Sequence, residues 1–394
     1  VDILSPSTIH GVVDLRAAAA DGESSFYDDG LGKARYGGDG GAALHGDLQF
    51  AFAALEWTPR LSWDLGLVVD LFAQPDQERS IDLGQAYLVY KPAPRAGLRF
   101  TARAGYFYPP VSQENGGRAW TPVDTITPSA IDSWIGEEGK VLGVEAGASR
   151  RFGDQEAGLT LGLFSHDDTA GTLLAFRGWS LSDIQGQARG AFDLPQLSPF
   201  FTRLQDDETY TTVDIDHRLG WYARGDWRPA PRLDLNLIYW NNRGDMATRT
   251  IDHQWAWATD YWNLGGRWDA DAQTWVLGQV MIGRTAAGFD TANGRAVDVR
   301  FRSAYLLAGR KVGTDVLTVR ADVFDTFDYS GLALGDTNEH GWAGAGAWRH
   351  PLTQIVDFRL EAMRIDSDRP ARVLLGEAPN QSQTVLQSSL RLSF

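Results

Sequence analysis

The 394-residue chain contains no cysteine. That excludes a disulfide framework, a thiolate metal site, covalent haem attachment and a cysteine nucleophile. No apolar run approaches the length of a membrane-spanning helix. Basic residues are outnumbered, 36 Lys and Arg against 51 Asp and Glu, for a formal net charge of −15. Without basic tracts the chain is a poor nucleic-acid binder, because phosphates need a cationic face. The seven histidines include no pair at helical ligand spacing, and no G-x-S-x-G elbow is present. Gly38-Asp39-Gly40-Gly41-Ala42-Ala43 matches a dinucleotide pattern in letters only, since it precedes a strand instead of joining strand to helix. No catalytic residue, metal ligand or cofactor is assigned. The start at Val1-Asp2 has no basic-apolar leader, as expected of an exported chain already trimmed.

Glycine (43) and tryptophan (15) are plentiful, and the hydropathy pattern has period two. In the last segment Leu386, Leu390, Leu392 and Phe394 alternate with Gln387, Ser389, Arg391 and Ser393. Successive strand residues face opposite ways, so this spacing gives one apolar and one polar face. Leu317, Val319, Ala321 and Val323 against Thr318, Arg320 and Asp322 repeat it. Sixteen such runs are read: 9–18, 43–57, 61–73, 82–91, 97–107, 140–152, 157–166, 217–229, 232–242, 256–270, 273–284, 298–311, 315–326, 340–350, 353–365 and 383–394. Alternate connections are tiny, such as Thr58-Pro59-Arg60 and Val312-Gly313-Thr314; the others are mostly long and polar, such as 19–42, 285–297 and 327–339. Tight turns at one end and long loops at the other predict an all-β, up-and-down transmembrane β-barrel of about 16 strands, one domain over 1–394. Strands running towards the turns end in Trp57, Tyr90, Phe152, Trp227, Trp268, Trp348 and Phe394, the ring expected of an interfacial girdle.

A barrel of this size is wide enough for an aqueous channel, lined by the polar face. Arg99, Arg103, Arg151, Arg300, Arg302 and Arg320 are predicted to form its basic wall. Arg224, Arg359 and Arg391, with Glu145, Asp226, Asp298, Asp322 and Glu361, are expected to face inward too. So many charges are not expected around a dry core.

These features resemble the Gram-negative outer-membrane porins, sixteen-stranded barrels, over almost the whole chain. The closing Leu390-Arg391-Leu392-Ser393-Phe394 is similar to the signal read by the barrel assembly machinery, which makes Phe394 the expected assembly signal. The stretch Gly105-Tyr106-Phe107-Tyr108-Pro109-Pro110-Val111-Ser112-Gln113-Glu114 resembles the strand-to-loop junction of phosphate-selective-type porins, although the inward face here favours Arg over Lys. The resemblance implies a bacterial outer-membrane location, contact with lipids and lipopolysaccharide, passage of small solutes and a homotrimer. It also implies that the third loop, 109–138, folds inward and narrows the pore. Thr127-Pro128 is the expected helix start, followed by Ile131, Trp134 and Ile135 at helical spacing. Glu114, Asp124, Asp132, Glu137 and Glu138 on this loop are expected to oppose Arg99 and Arg103 across an eyelet. Loop 167–216 carries Leu173, Leu174, Phe176, Trp179, Phe192, Phe200 and Phe201, an apolar density that predicts a mouth cover, a plug or a partner surface.

The expected function is a porin passing small polar or charged solutes by diffusion, without enzymatic activity. The alternative is a binding or scaffold barrel whose long Trp-rich loops contact glycan, lipopolysaccharide or a protein. A barrel enzyme would need a nucleophile beside a base, and only His217, near Asp214 and Asp216, offers a base. Asp206-Asp207-Glu208 with Asp214 and Asp216 lacks the spaced ladder of a calcium loop and is expected to be solvated.

Overall fold

A computed structural model describes residues 3, 5–28, 30–75, 77, 79–332 and 336–394. The first barrel strands are β1 (Ile9–Ala20), β2 (His45–Trp57), β3 (Leu65–Ala73), β4 (Ile81–Tyr90), β5 (Leu98–Phe107), β6 (Val141–Phe152) and β7 (Gln155–Ser165). A small separate hairpin follows, β8 (Ala191–Asp193) with β9 (Glu208–Tyr210). The barrel resumes with β10 (Gly220–Ala230), β11 (Leu233–Asn241), β12 (Ala258–Asp269), β13 (Thr274–Thr291) and β14 (Gly294–Val312). It ends with β15 (Asp315–Asp328), β16 (Glu339–Pro351), β17 (Val356–Asp368) and β18 (Asn380–Ser393). Each barrel strand pairs antiparallel with the next, and β18 returns to β1 with Leu390 opposite Leu15, closing sixteen strands.

Burial along the strands is the reverse of a soluble protein's. On β15 Leu317, Val319 and Val323 are exposed, whereas Thr318, Arg320 and Asp322 between them are buried. Leu15, Leu88, Leu161, Leu237, Leu264, Leu306 and Leu386 continue the exposed apolar band around the barrel. Aliphatic surface in a closed belt, with polar groups enclosed, is the arrangement that hydrocarbon demands. No helix among the described residues is long and apolar enough to cross a membrane, so the strands make the crossing. Tyr90, Phe152, Trp227, Trp268 and Phe394 stand exposed at the turn end, as the girdle requires. The Phe394 ring lies over Gly11, where any side chain would collide with it.

Two boundaries differ from expectation. β3 begins at Leu65, and Leu61 and exposed Trp63 belong to the preceding turn. Segment 285–297, expected as a long polar loop, is mostly strand: β13 and β14 stay paired as far as Thr291 opposite Gly294. Alternation is required only within hydrocarbon, and backbone pairing continues beyond it without that signature.

β5 turns into the lumen just past Gly105, whose φ of +139° is closed to most side chains and whose added Cβ would sit 2.2 Å from the Ala86 carbonyl oxygen. We expect Gly105→Ala to destabilise the barrel by about 1–3 kcal/mol. The readout is the temperature at which the folded band is lost in heat-modifiability gels. Gly46→Ala, whose new methyl meets nothing closer than 3.8 Å, should leave it unchanged.

Candidate functional site

The third loop crosses the lumen between β5 and β6 and carries α1 (Ala130–Glu138), which is buried along its whole length. The helix starts two residues later than the sequence implied, with Ser129 as N-cap. The wall and the loop itself explain the shift. The Glu114 carboxylate accepts the Ser129 N–H (2.6 Å), Asp322 on β15 accepts that of Ala130 (3.3 Å), and the Ser129 hydroxyl accepts that of Asp132 (3.3 Å). These are the orphan donors of a helix start. Just upstream, Glu361 on β17 accepts the N–H groups of Ile126 (2.8 Å) and Thr127 (3.2 Å). Arg320 donates to the Thr127 carbonyl (2.6 Å) and Arg359 to that of Thr125 (3.2 Å). Inward charges on β15 and β17 therefore strap the loop backbone to the wall.

The fourth loop, 167–216, also lies inside. Trp134 of α1 makes edge-on contacts with Trp179 of the fourth loop, Tyr261 of β12 and Phe301 of β14, with ring centroids 6.1, 5.6 and 5.2 Å away. This buried cluster continues through Phe164, Trp240, Met281, Met363, Ile365 and Val385 on the wall. The inward face is thus apolar in the loop half of the barrel, and the expectation of a charged, water-filled lumen throughout is corrected there. Several of the charges in this dry layer are paired. Glu137 holds Arg177 (2.5 Å); Asp183 is shared by Arg16 (2.7 Å) and Arg35 (3.1 Å); Glu339 meets Lys33 and, at 3.6 Å, Arg369. Residues of the first loop, the fourth loop and the wall are joined in this way.

The predicted wall residues separate into four groups. Arg320 alone meets a third-loop acid, lying 3.6 Å from Glu114. Arg103 forks onto Glu145 of the neighbouring strand (2.8 and 2.9 Å) and lies over the Phe107 ring. Arg99 and Arg151 pair with Glu156 near the turn end (3.2 and 3.7 Å). Neither Arg99 nor Arg103 opposes the third loop, which corrects the expected transverse field. Arg300, Arg302 and Asp298 are not in the lumen: they share the outward face of β14 with exposed Leu306, because alternation fixes the face by parity. Of the loop acids, Asp124 accepts the Trp275 indole N–H (2.9 Å), while Glu137 and Glu138 face the fourth loop instead of a pore.

Burial moves the ionisation of several loop groups. It raises Asp132 well above the usual carboxylate range, with the adjacent Glu114 charge acting the same way. It pushes Glu138 up to about 7, against the pull of N–H donors from Leu173, Gly171 and Trp134. It pushes the Lys140 ammonium down to about 7, although its Nζ donates to the carbonyls of Gly84 and Gly186. Lys140, Arg177, Asp183 and Glu339 were missed in the sequence. They stand in loops or at a strand start, where no alternation signals a face.

Space remains towards the turn end. A cavity of about 420 Å³ is lined by Arg99, Thr101, Ser149, Glu156, Arg224 and Asp226; a second of about 700 Å³ is lined by Asp124, Arg232, Arg267, Asp269, Lys311 and Arg349. Gln113 of the third loop borders both, and the two together are called the vestibule. Cations and anions both line it. Elsewhere, the carboxylates of Asp168, Asp214 and Asp216 gather in the fourth loop, yet each accepts a backbone N–H, from Ile215, His217 and Arg218 respectively, and so serves turn geometry. His217 lies 3.3 Å from Asp214, and among the described residues no serine hydroxyl bonds to it.

Together these features define a membrane-spanning barrel with a polar vestibule on one side and a packed interior on the other. Its architecture is that of the bacterial outer-membrane porins. The channel DcaP of Acinetobacter baumannii superposes with a TM-score of 0.58 at 9% identity, over 98% of this chain and 96% of that one. The anion-selective porin of Comamonas acidovorans gives 0.54 at 13%, over 98% and 99%. OmpT of Vibrio cholerae, as a loop L8 deletion mutant, gives 0.54 at 8%, over 98% and 99%, and is also recorded in a trimer form. Identities this low establish a shared fold. No family model and no curated protein matches the sequence.

Glu138 joins α1 to the fourth loop and yields a pH dependence. Its folded value lies above the ordinary glutamate value of 4.5, so its contribution is complete below about 4.5 and is lost as pH rises to about 7. Lys140, with its value depressed, contributes in the opposite sense, losing stability as pH falls from about 10.5 to about 7. Comparison with Glu138→Gln isolates the first. Protease cleavage within 181–210 should rise between pH 5 and 7 more steeply in wild type than in Glu138→Gln; parallel curves would remove Glu138 from the contact.

Proposed function

We propose that this chain is an outer-membrane channel protein of porin type, with its turns in the periplasm and its loops outside the cell. On this reading it passes small polar or charged solutes by diffusion when the fourth loop is displaced, and carries out no covalent chemistry. The observation that carries it is the vestibule: wall residues of both signs line open space that a third-loop residue, Gln113, borders. Partly exposed pairs such as Arg99–Glu156 and Arg228–Asp234 are weak in water and exchange readily with a dipolar solute. On the same reading Phe394 serves assembly, lipids and lipopolysaccharide surround the barrel, and copies associate as a homotrimer.

A second reading, a binding or scaffold barrel, is favoured by the dry core that the third and fourth loops make with the wall. Replacing residues 170–212 by a short Gly/Ser linker separates the two. The ends of this loop already meet, with the Asp168 N–H donating to the Val213 carbonyl (3.3 Å), so the barrel should close unchanged. In planar bilayers we expect rare or small conductance from wild type and at least ~10-fold more from the linker variant, in keeping with the width of a sixteen-stranded lumen. Arg99→Ala in that background should shift the reversal potential under a salt gradient. No conductance from a folded linker variant would transfer the case to the scaffold.

A further inference from the structure

The outer wall carries a basic row that the lumen does not use. Arg284 on β13 stands directly opposite Arg300 on β14, and Arg302 follows two residues along on the same face. All three are exposed. Like charges at directly opposed sheet positions repel. Asp298 offsets Arg284 through a forked pair (2.7 and 2.6 Å), and Asp325 offsets Arg302 (2.6 Å) while also meeting His340. Asp260 lies opposite Arg284 on β12, and exposed Asp368 on β17 lies opposite His340, so an acid flanks the row at either end. Arg300 has no carboxylate at ion-pair distance among the described residues; its guanidinium lies 4.3 Å from the centre of the Tyr329 ring.

The height of this row is defined by its neighbours. Ile282 is opposite Arg302, and Trp262 is opposite Ile282. One step towards the turn end the exposed outward residues are Leu264, Val280, Val323 and Trp342. An arginine facing lipid costs about 2–4 kcal/mol at the bilayer midplane and about 0–1 at the interface. The row therefore marks the headgroup level of the loop-side leaflet, directly above an apolar wall. Nη1 of Arg284 lies outside its pair, as do both Nη groups of Arg302, and the whole Arg300 fork remains available. Guanidinium forks match phosphate oxygens, and desolvation at an interface strengthens the match.

We propose that Arg284, Arg300 and Arg302 form a binding site on the outer wall for the phosphorylated headgroup of a lipid in the loop-side leaflet. A lipid is favoured over free phosphate because the row continues downward into Trp262, Ile282 and Leu306, a surface for acyl chains. The site is independent of whether the lumen conducts.

The test uses the purified barrel in detergent, titrated with fluorescent bis-phosphorylated lipid A. Arg300→Ala/Arg302→Ala should weaken binding at least ~10-fold, the loss of charge-assisted forked bonds. Arg310→Ala, exposed at the turn end of the same strand, should not change it. Dephosphorylated lipid A should bind wild type and the double variant equally weakly. Heat-modifiable migration establishes that each variant is folded. Equal binding of phosphorylated lipid A by wild type and double variant would overturn the proposal, as would full competition by millimolar inorganic phosphate. Loss of a multimer in the double variant, with lipid binding unchanged, would also overturn it and assign the row to contact between copies.

Discussion

In hydrocarbon no backbone N–H or C=O can be left unpaired, and a sheet meets that condition only by closing on itself. The pairing of β18 with β1 supplies the closure. With the outward face committed to lipid, the inward face is free to vary. It does so in two zones: polar and solvated near the turns, apolar and packed near the loops. One sheet therefore meets hydrocarbon on its outer face across the membrane, and on its inner face a packed apolar interior in the loop half alone.

The packed zone is held by shape and by charge. Edge-on aromatic pairs are worth about 0.5–1.5 kcal/mol each beyond their burial. Removing one member of a buried ion pair typically costs about 3–5 kcal/mol, because the other is left uncompensated. Pairs such as Arg177–Glu137 and Arg16–Asp183–Arg35 bind loops to each other and to the wall. Their worth depends on all members being in place, so release of the fourth loop exchanges several pairs together instead of one at a time. If the channel proposed above opens by releasing this loop, the shared pairs make that step an all-or-none exchange.

Strand number, turn placement and the turn-end girdle were legible because hydrocarbon imposes a period of two on every crossing segment. The same rule failed where it no longer applied. The β13–β14 hairpin runs past the membrane edge without alternation, and Ser129 caps α1 because Asp322 on the distant wall and Glu114 at the start of the same loop select the register. Arg300 and Arg302 were assigned to the lumen on the premise that charge faces inward, yet parity with Leu306 already placed them outside. The third loop was recognised as an inward segment, but the partners of Glu137 and Glu138 come from the fourth loop, whose path no local pattern encodes.

The seam between β1 and β18 joins the two ends of the chain, whereas Trp134, Trp179, Tyr261 and Phe301 meet across a much shorter span of sequence. Contacts between distant residues form late, because the loop-closure entropy must first be met. Ala20 and Val385, opposite each other at the seam, are also buried in the interior cluster. Closing the wall and completing its contents therefore draw on the same two strands, and neither is finished without the other.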